Sequence, residues 1–150
     1  MNSTRVKFRE LNSHEINAVL SRNHIGRIAF SQGNRTEIIP VNYVFTPEWI
    51  YGRTTPGGLI EQIGETWWPV AFEVDEVRDL FNWESVVIHG GLYVVPENGS
   101  NWQREAWREG LDLLRQLVPE TFEEGDPVPG RQTIFRIAIQ ETVGKAACRG

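Results

Sequence analysis

The segment Ile38–Phe45 (IIPVNYVF), followed by Trp49–Gly58 (WIYGRTTPGG), decides how this chain is expected to fold. Both halves are rich in β-branched and aromatic residues, and the short polar turn 46–48 lies between them, so they predict a β-hairpin. The second strand ends in a guanidinium, two hydroxyls and a glycine pair: Arg53, Thr54, Thr55, Gly57 and Gly58. Glycines allow close backbone approach, and a guanidinium offers several donors in one plane. The strand end therefore predicts a site for an oxyanion such as phosphate.

Composition narrows the class of protein. The 150 residues carry a formal net charge of −5, and the 15 basic residues are scattered, which predicts no nucleic-acid partner. A chain of this length buries roughly 70% of its surface on folding, so we expect one domain, 1–150, with 1–10 as an N-terminal tail or dimer arm. No apolar run approaches the ~20 residues of a membrane helix, and no signal-peptide pattern opens the chain, so we expect no membrane partner. The single Cys148 fits a reducing cytoplasm.

Residue patterns predict six strands and two or three helices. The predicted strands are 26–31, 36–45, 49–55, 69–77, 85–95 and 133–140. A helix begins at Asn12 or Ser13, a short helical turn covers 59–63, and the Ser100–Gln103 spacing of a capping box opens one long helix. Residues 123–130 are acidic and rich in Pro and Gly, which predicts a loop. Short antiparallel connections indicate a mainly β barrel with α additions.

Further blocks of sequence extend the hairpin pattern: Gly26–Phe30, Pro69–Asp75, Asn82–Gly90 and Thr142–Lys145. In this order, over about 11–145, they resemble the pyridoxamine 5′-phosphate oxidase-like family of FMN-binding split barrels. The resemblance implies a six-stranded antiparallel Greek-key split β-barrel. It also implies a homodimer with FMN at the subunit interface.

The resemblance further implies which residues bind FMN: Pro40, Val41, Asn42, Tyr43, Arg53, Thr54, Thr55, Gly58, Leu59, Trp83 and Ser85. Arg53 is expected to be the principal phosphate cation, with pairing to a surface carboxylate as its alternative. Asn42 meets either the flavin's pyrimidine edge or a neighbouring backbone. Many relatives carry a lysine where Leu59 stands. Losing one charge-assisted hydrogen bond, about 1.5–3 kcal/mol, weakens phosphate binding roughly ten- to a hundredfold.

No catalytic residue is assigned, because neither a nucleophile triad nor a carboxylate pair stands out. His14, His24, His89 and Cys148 show no ligand spacing, so no metal is expected. His89 stands where the family commonly carries arginine, and it acts either as a titrating group or as a strand cap.

The resemblance implies a cytoplasmic FMN-dependent oxidoreductase that acts on a small electron-poor molecule, in the branch that includes 5-nitroimidazole resistance reductases. A deazaflavin-dependent reductase is one alternative, and a longer, more basic groove would favour it. A non-catalytic flavin carrier or interaction module is the other alternative, and Leu59 points that way.

Overall fold

The computed structural model describes residues 5–149, which form seven strands and three helices. In chain order the elements are β1 (Val6–Glu10), α1 (Ser13–Arg22), β2 (Ile25–Gln32), β3 (Arg35–Phe45), β4 (Trp49–Thr54), α2 (Leu59–Gly64), β5 (Trp68–Asp79), β6 (Asn82–Val94), α3 (Asn101–Leu117) and β7 (Thr133–Arg149). Within the described range, every helix is too short or too polar to span a membrane.

Six of the strands close into an antiparallel barrel. Going round the ring, β2 pairs with β3, β3 with β4, β4 with β7, β7 with β6, β6 with β5, and β5 again with β2. The last seam is short, because only 27–29 of β2 pair with 71–73 of β5. These are the six strands that the sequence predicts, so the predicted split barrel with α additions is confirmed.

The seventh strand, β1, was not predicted. Residues 1–4 of the predicted tail or dimer arm lie outside the described residues, whereas Val6–Glu10 pairs in register with 145–149 of β7. Strand β7 therefore runs nine residues beyond its predicted end at Gln140, and this extension holds both β6 and β1. Four of the five residues of β1 are exposed, so buried and exposed side chains do not alternate along this strand.

Alternating side chains of the strands fill the barrel interior. The largest fully buried ones include Tyr43, Phe72, Ile88 and Phe135. Helix α1 packs its apolar residues Ile16, Val19 and Leu20 into the same core. A capping box starts this helix, since Asn12 Oδ1 accepts from the Glu15 amide at 2.9 Å and Glu15 Oε1 accepts from the Asn12 amide at 3.1 Å.

Helix α3 lies on the outside of the barrel. Its residues Ala106, Leu111 and Leu114 form a second apolar cluster with Tyr51 of β4 and Ile134 of β7. The connection that follows, 118–132, contacts the same apolar cluster through Phe122 and contacts Arg53 of β4 through Asp126. This face therefore carries the side chains that point outward from β4.

Gly90 marks an irregularity in the pairing of β6 with β7. The β6–β7 register shifts between His89 and Gly90, and a Cβ at Gly90 would collide with the carbonyl oxygen of Ala138. The close approach of the two backbones requires glycine at this position.

Candidate functional site

Strand alternation divides the predicted residues of β3 between two faces. Pro40 and Asn42 are exposed on the outer face, whereas Val41 and Tyr43 are buried inside the barrel. The Tyr43 hydroxyl donates to the carbonyl oxygen of Leu20 at 2.7 Å, and burial raises the pKa of this hydroxyl. The side chains of Val41 and Tyr43 therefore support the core, and those of Pro40 and Asn42 are available to a ligand.

A cavity of about 340 Å³ lies beside Asn42 on the outer face, and we call it the Asn42 cavity. Arg53 also lines it, so two of the predicted site residues meet here, together with the polar side chains of His24 and Arg131. Its apolar wall comes from β2, the end of α3 and the connection after it: Ile25, Leu114, Leu117, Val118, Pro127 and Val128.

The polar groups of the Asn42 cavity are only loosely engaged. Arg131 Nη1 donates to Asn42 Oδ1 at 3.4 Å, and Asn42 Nδ2 donates to the carbonyl oxygen of His24 at 3.4 Å. Both distances lie beyond the usual length of an N–H···O bond. The cavity therefore offers an amide and a guanidinium that a ligand can bind without breaking strong contacts.

Arg53 is held differently. Its Nη1 and Nη2 donate to the two carboxylate oxygens of Asp126 at 3.1 and 2.5 Å, and its Nε donates to the carbonyl oxygen of Arg131 at 2.9 Å. The side chains are only 7% and 3% exposed. The ring of Phe122 covers the guanidinium at 4.7 Å. Arg53 is therefore committed to a buried ion pair that fastens the 118–132 connection to β4.

The remaining predicted phosphate residues lie at the end of β4. Thr54 is half-buried, Thr55 is exposed, Gly58 precedes α2, and Leu59 is 38% exposed. The nearby Gly57 amide donates to Glu61 Oε1 at 2.9 Å, and the Thr133 hydroxyl donates to Glu61 Oε2. These two hydrogen bonds lower the pKa of the Glu61 carboxyl.

A larger cavity of about 690 Å³ adjoins this strand end, and we call it the acidic cavity. Its lining includes five carboxylates and one arginine: Glu61, Glu65, Glu97, Glu123, Asp126 and Arg115. Trp107 and Phe122, whose rings stack with centroids 6.3 Å apart, form part of its apolar wall. The lining of this cavity is net negative, which disfavours the binding of a phosphate.

Trp83 and Ser85 lie on β6, away from the Asn42 cavity. Strands β2 and β5 separate them from β3 in the sheet. Ser85 Oγ donates to Glu73 Oε2 at 3.2 Å, and Trp83 contacts Phe8 with ring centroids 6.3 Å apart. Burial and the neighbouring Asp75 raise the pKa of Glu73. The structure therefore does not bring these two predicted residues together with Asn42 and Arg53 within one chain.

His89 is exposed on β6 and lines a third cavity of about 600 Å³ with Trp67 and Trp68. Among residues 5–149, no group of three or more histidine, cysteine or acidic side chains is placed to hold a metal ion.

Sequence analysis does not predict four residues of the site, which are His24, Glu61, Asp126 and Arg131. Asp126 belongs to the loop 123–130, which the sequence marks only as acidic and rich in Pro and Gly, and Arg131 directly follows it. A charged residue in such a loop gives no signal of its partner, and Asp126 lies 73 residues from Arg53.

Comparison with known proteins identifies the family. A statistical model of the family described as pyridoxamine 5′-phosphate oxidase matches residues 12–146. The uncharacterized protein RA0666 of Rhizobium meliloti (strain 1021) is 26% identical over 153 residues, which covers 95% of this chain and 97% of that protein.

Solved structures share the fold. A FAD-binding protein from Mesorhizobium loti matches with a TM-score of 0.72 at 24% identity, covering 94% of this chain and 99% of the other. A FAD-binding protein from Mycobacterium smegmatis matches with a TM-score of 0.68 at 19% identity, covering 92% and 98%. A proposed 5-nitroimidazole antibiotic resistance protein from Bacteroides thetaiotaomicron matches with a TM-score of 0.69 at 16% identity, covering 97% and 90%.

Proposed function

This chain belongs to the pyridoxamine 5′-phosphate oxidase family, and from that membership we propose that it is a homodimeric flavin-dependent oxidoreductase acting on a small molecule. The observation that carries the proposal is the family match, which spans residues 12–146 and so takes in nearly the whole barrel. Two proteins of the same fold are described as FAD-binding, which supports a flavin as the cofactor.

The Asn42 cavity is the proposed place for the flavin's pyrimidine edge. That edge presents two carbonyl oxygens with an N–H between them, and it therefore needs both donors and an acceptor. Asn42 offers an amide with both, and Arg131 offers further donors. The side chains of Ile25, Leu117 and Val118 supply apolar surface beside these groups. The residues of this cavity therefore fit the polar end of a flavin ring.

A bound flavin would carry the electrons, and the protein would bind and tune it. Arg131 places a positive charge in the cavity, which stabilises negative charge on a ligand there. Asn42 fixes the orientation of the ligand, because an amide distinguishes a donor from an acceptor. The apolar wall excludes water from one side of the cavity, and this strengthens both contacts.

The end of β4 does not fit a phosphate in the same way. Within residues 5–149 the cation of this strand is Arg53, which is paired with Asp126, and the adjoining cavity is acidic. The tail of a deazaflavin cofactor is expected to need a long basic groove, and this acidic surface gives no support to that alternative. FMN and FAD carry the same flavin ring, and the proposal concerns the binding of that ring in the Asn42 cavity.

The proposed dimer uses the outer face of β2 and β3. Ile25 and Ile38 are 59% and 69% exposed there, and Pro40 lies on the same face. Ile25 pairs with Asn42 and Ile38 pairs with Ala29, so the two isoleucines lie on one face with the Arg27–Pro40 pair between them. Exposed apolar side chains on one face of a sheet support an interaction surface. Because Ile25 also lines the Asn42 cavity, a second copy on this face would lie against the proposed flavin.

Flavin titration of the purified protein tests the proposed function. We expect the protein to bind FMN or FAD, and Arg131→Ala to weaken binding about ten- to a hundredfold, the equivalent of one charge-assisted hydrogen bond. Arg108→Ala removes the same charge from the exposed side of α3 and is expected to leave binding unchanged. A folded wild-type protein that takes up neither flavin would refute the proposal.

A further inference from the structure

Arg53, the cation that the sequence assigns to a phosphate, is already bound by a carboxylate of the chain, Asp126. Arg53 uses three of its nitrogens for Asp126 and the carbonyl oxygen of Arg131, and Nη2 also donates to the carbonyl oxygen of Val128 at 3.3 Å. A phosphate that took Asp126's place would have to enter a position where both side chains are more than nine-tenths buried.

Asp126 is itself fully engaged. Besides Arg53, its carboxylate accepts from the backbone amides of Phe122 and Val128, each at 3.0 Å. The Arg53 guanidinium and these two amides hold the pKa of Asp126 well below its usual range, so the side chain is ionised at neutral pH. Displacing it would leave a buried charge and two backbone donors without partners, which is costly.

Glu61 fills a comparable position at the loop between β4 and α2. It accepts from the Gly57 amide and the Thr133 hydroxyl, and these bonds keep it ionised. The glycine loop that the sequence predicts to receive a phosphate therefore already receives a carboxylate. Leu59, which stands where many relatives carry lysine, adds no positive charge.

The surroundings reinforce this arrangement. The acidic cavity brings Glu65, Glu97 and Glu123 to the same region, and Arg115 is its one cation within residues 5–149. A phosphate monoester carries about −1.5 to −2 charges at neutral pH. Like charges at short range repel it, most strongly where water is partly excluded.

We infer that Asp126 and Glu61 are specificity-determining residues that exclude a ligand's phosphate from the end of β4. The inference rests on the proposed function, because the ligand in question is a flavin. Its consequence is that the chain recognises the flavin ring and draws no affinity from a phosphate at this strand end. Riboflavin and FMN then bind with similar strength.

The test compares riboflavin with FMN by fluorescence titration at low and high salt. We expect the two dissociation constants to agree within about threefold in the wild type, since Arg53 is paired with Asp126 and the cavity beside it carries more carboxylates than cations. Glu61→Gln keeps the side-chain shape and removes one negative charge. It should tighten FMN relative to riboflavin by about three- to tenfold, and salt should reduce this gain. Glu105→Gln, on the exposed side of α3, is the matched control. FMN binding thirtyfold or more tighter than riboflavin in the wild type would overturn the inference.

A second measurement separates this inference from the proposed function. Inorganic phosphate is added to the protein without flavin, and the melting temperature is compared with that in sodium chloride of equal ionic strength. We expect equal melting temperatures, and stabilisation by millimolar phosphate that Arg53→Lys weakens would overturn the inference. Failure of both flavins to bind would instead refute the proposed function. The phosphate measurement, which needs no flavin, would still test whether the end of β4 excludes phosphate.

Discussion

Replacing Arg53 with methionine is predicted to destabilise the protein by about 3–5 kcal/mol at neutral pH, because it leaves Asp126 as a buried charge without its partner. The size of the effect follows from the geometry. Both side chains are less than a tenth exposed, and the pair is bidentate, with distances of 3.1 and 2.5 Å. Methionine keeps much of the arginine's apolar stem, so the loss is chiefly electrostatic.

Urea unfolding followed by tryptophan fluorescence measures this change, using the six tryptophans of the chain. Arg108→Met, on the exposed side of α3, is the control and should change the free energy of unfolding by about 0.5 kcal/mol or less. The double variant Arg53→Met/Asp126→Asn should recover part of the loss, because asparagine carries no charge and its one oxygen still accepts from one of the two amides, Phe122 or Val128, which bind different oxygens of the carboxylate. A single variant within about 1 kcal/mol of wild type would refute the reasoning.

The pH dependence of the same variant has a defined sign. In the wild type the folded pKa of Asp126 lies below its ordinary value of 3.8, so the pair stabilises the fold above about pH 3.8 and loses this effect as the pH falls further. In Arg53→Met the largest cause of the low pKa is removed while the Phe122 and Val128 amides remain, so the pKa of Asp126 rises relative to the wild type. The stability deficit of the variant relative to wild type should therefore shrink as the pH is lowered through the raised pKa of Asp126.

Three further changes have defined outcomes. Ile38→Asp should yield a particle near the 17.2 kDa monomer mass in light scattering, because it places a charge on the proposed dimer face, whereas Thr36→Asp at the hairpin end should not. Leu59→Lys should tighten FMN by no more than about threefold, and a tenfold gain measured by fluorescence titration would show that a phosphate does bind there. Glu76→Gln should flatten the loss of melting temperature between about pH 4.5 and 2, because the Arg22 bond lowers the pKa of Glu76 from 4.5 to about 2. An unchanged profile would contradict this.

The barrel was predictable from the sequence because its strands carry local signals. The β3–β4 hairpin, for example, is marked by two β-branched and aromatic runs and a polar turn, and the observed bounds, Arg35–Phe45 and Trp49–Thr54, differ from the predicted ones by one residue at two of their four ends. Helix α1 carries its own capping residues, Asn12 and Glu15. Such signals depend on neighbours along the chain, which a single sequence contains.

The missing strand had no such signal. Its residues VKFRE alternate apolar and polar side chains over only four positions, and β1 pairs with the extended end of β7. Gly144 on that extension lies against Leu11 and Ile16, so it is packing near the barrel end that carries β7 past position 140. A strand that depends on a distant edge cannot be predicted from its own composition.

The site was predictable only in part. Asn42 and Arg53 were singled out as ligand residues, and both line one cavity. The pairing of Arg53 with Asp126 joins residues far apart in the chain through an irregular loop, and no spacing rule connects them. The two faces of β3 could have been separated from alternation alone, since residues 41 and 43 point opposite to 40 and 42. Which of these residues bind a cofactor stays a prediction.

The most direct test of the central proposal is size-exclusion chromatography with simultaneous light scattering and visible absorbance, after the purified protein has been incubated with FMN or FAD. The account predicts that the flavin's visible absorbance coelutes with a particle of two chains, at one flavin per chain. Protein that elutes as a folded dimer or monomer without flavin, after incubation with either one, would contradict it.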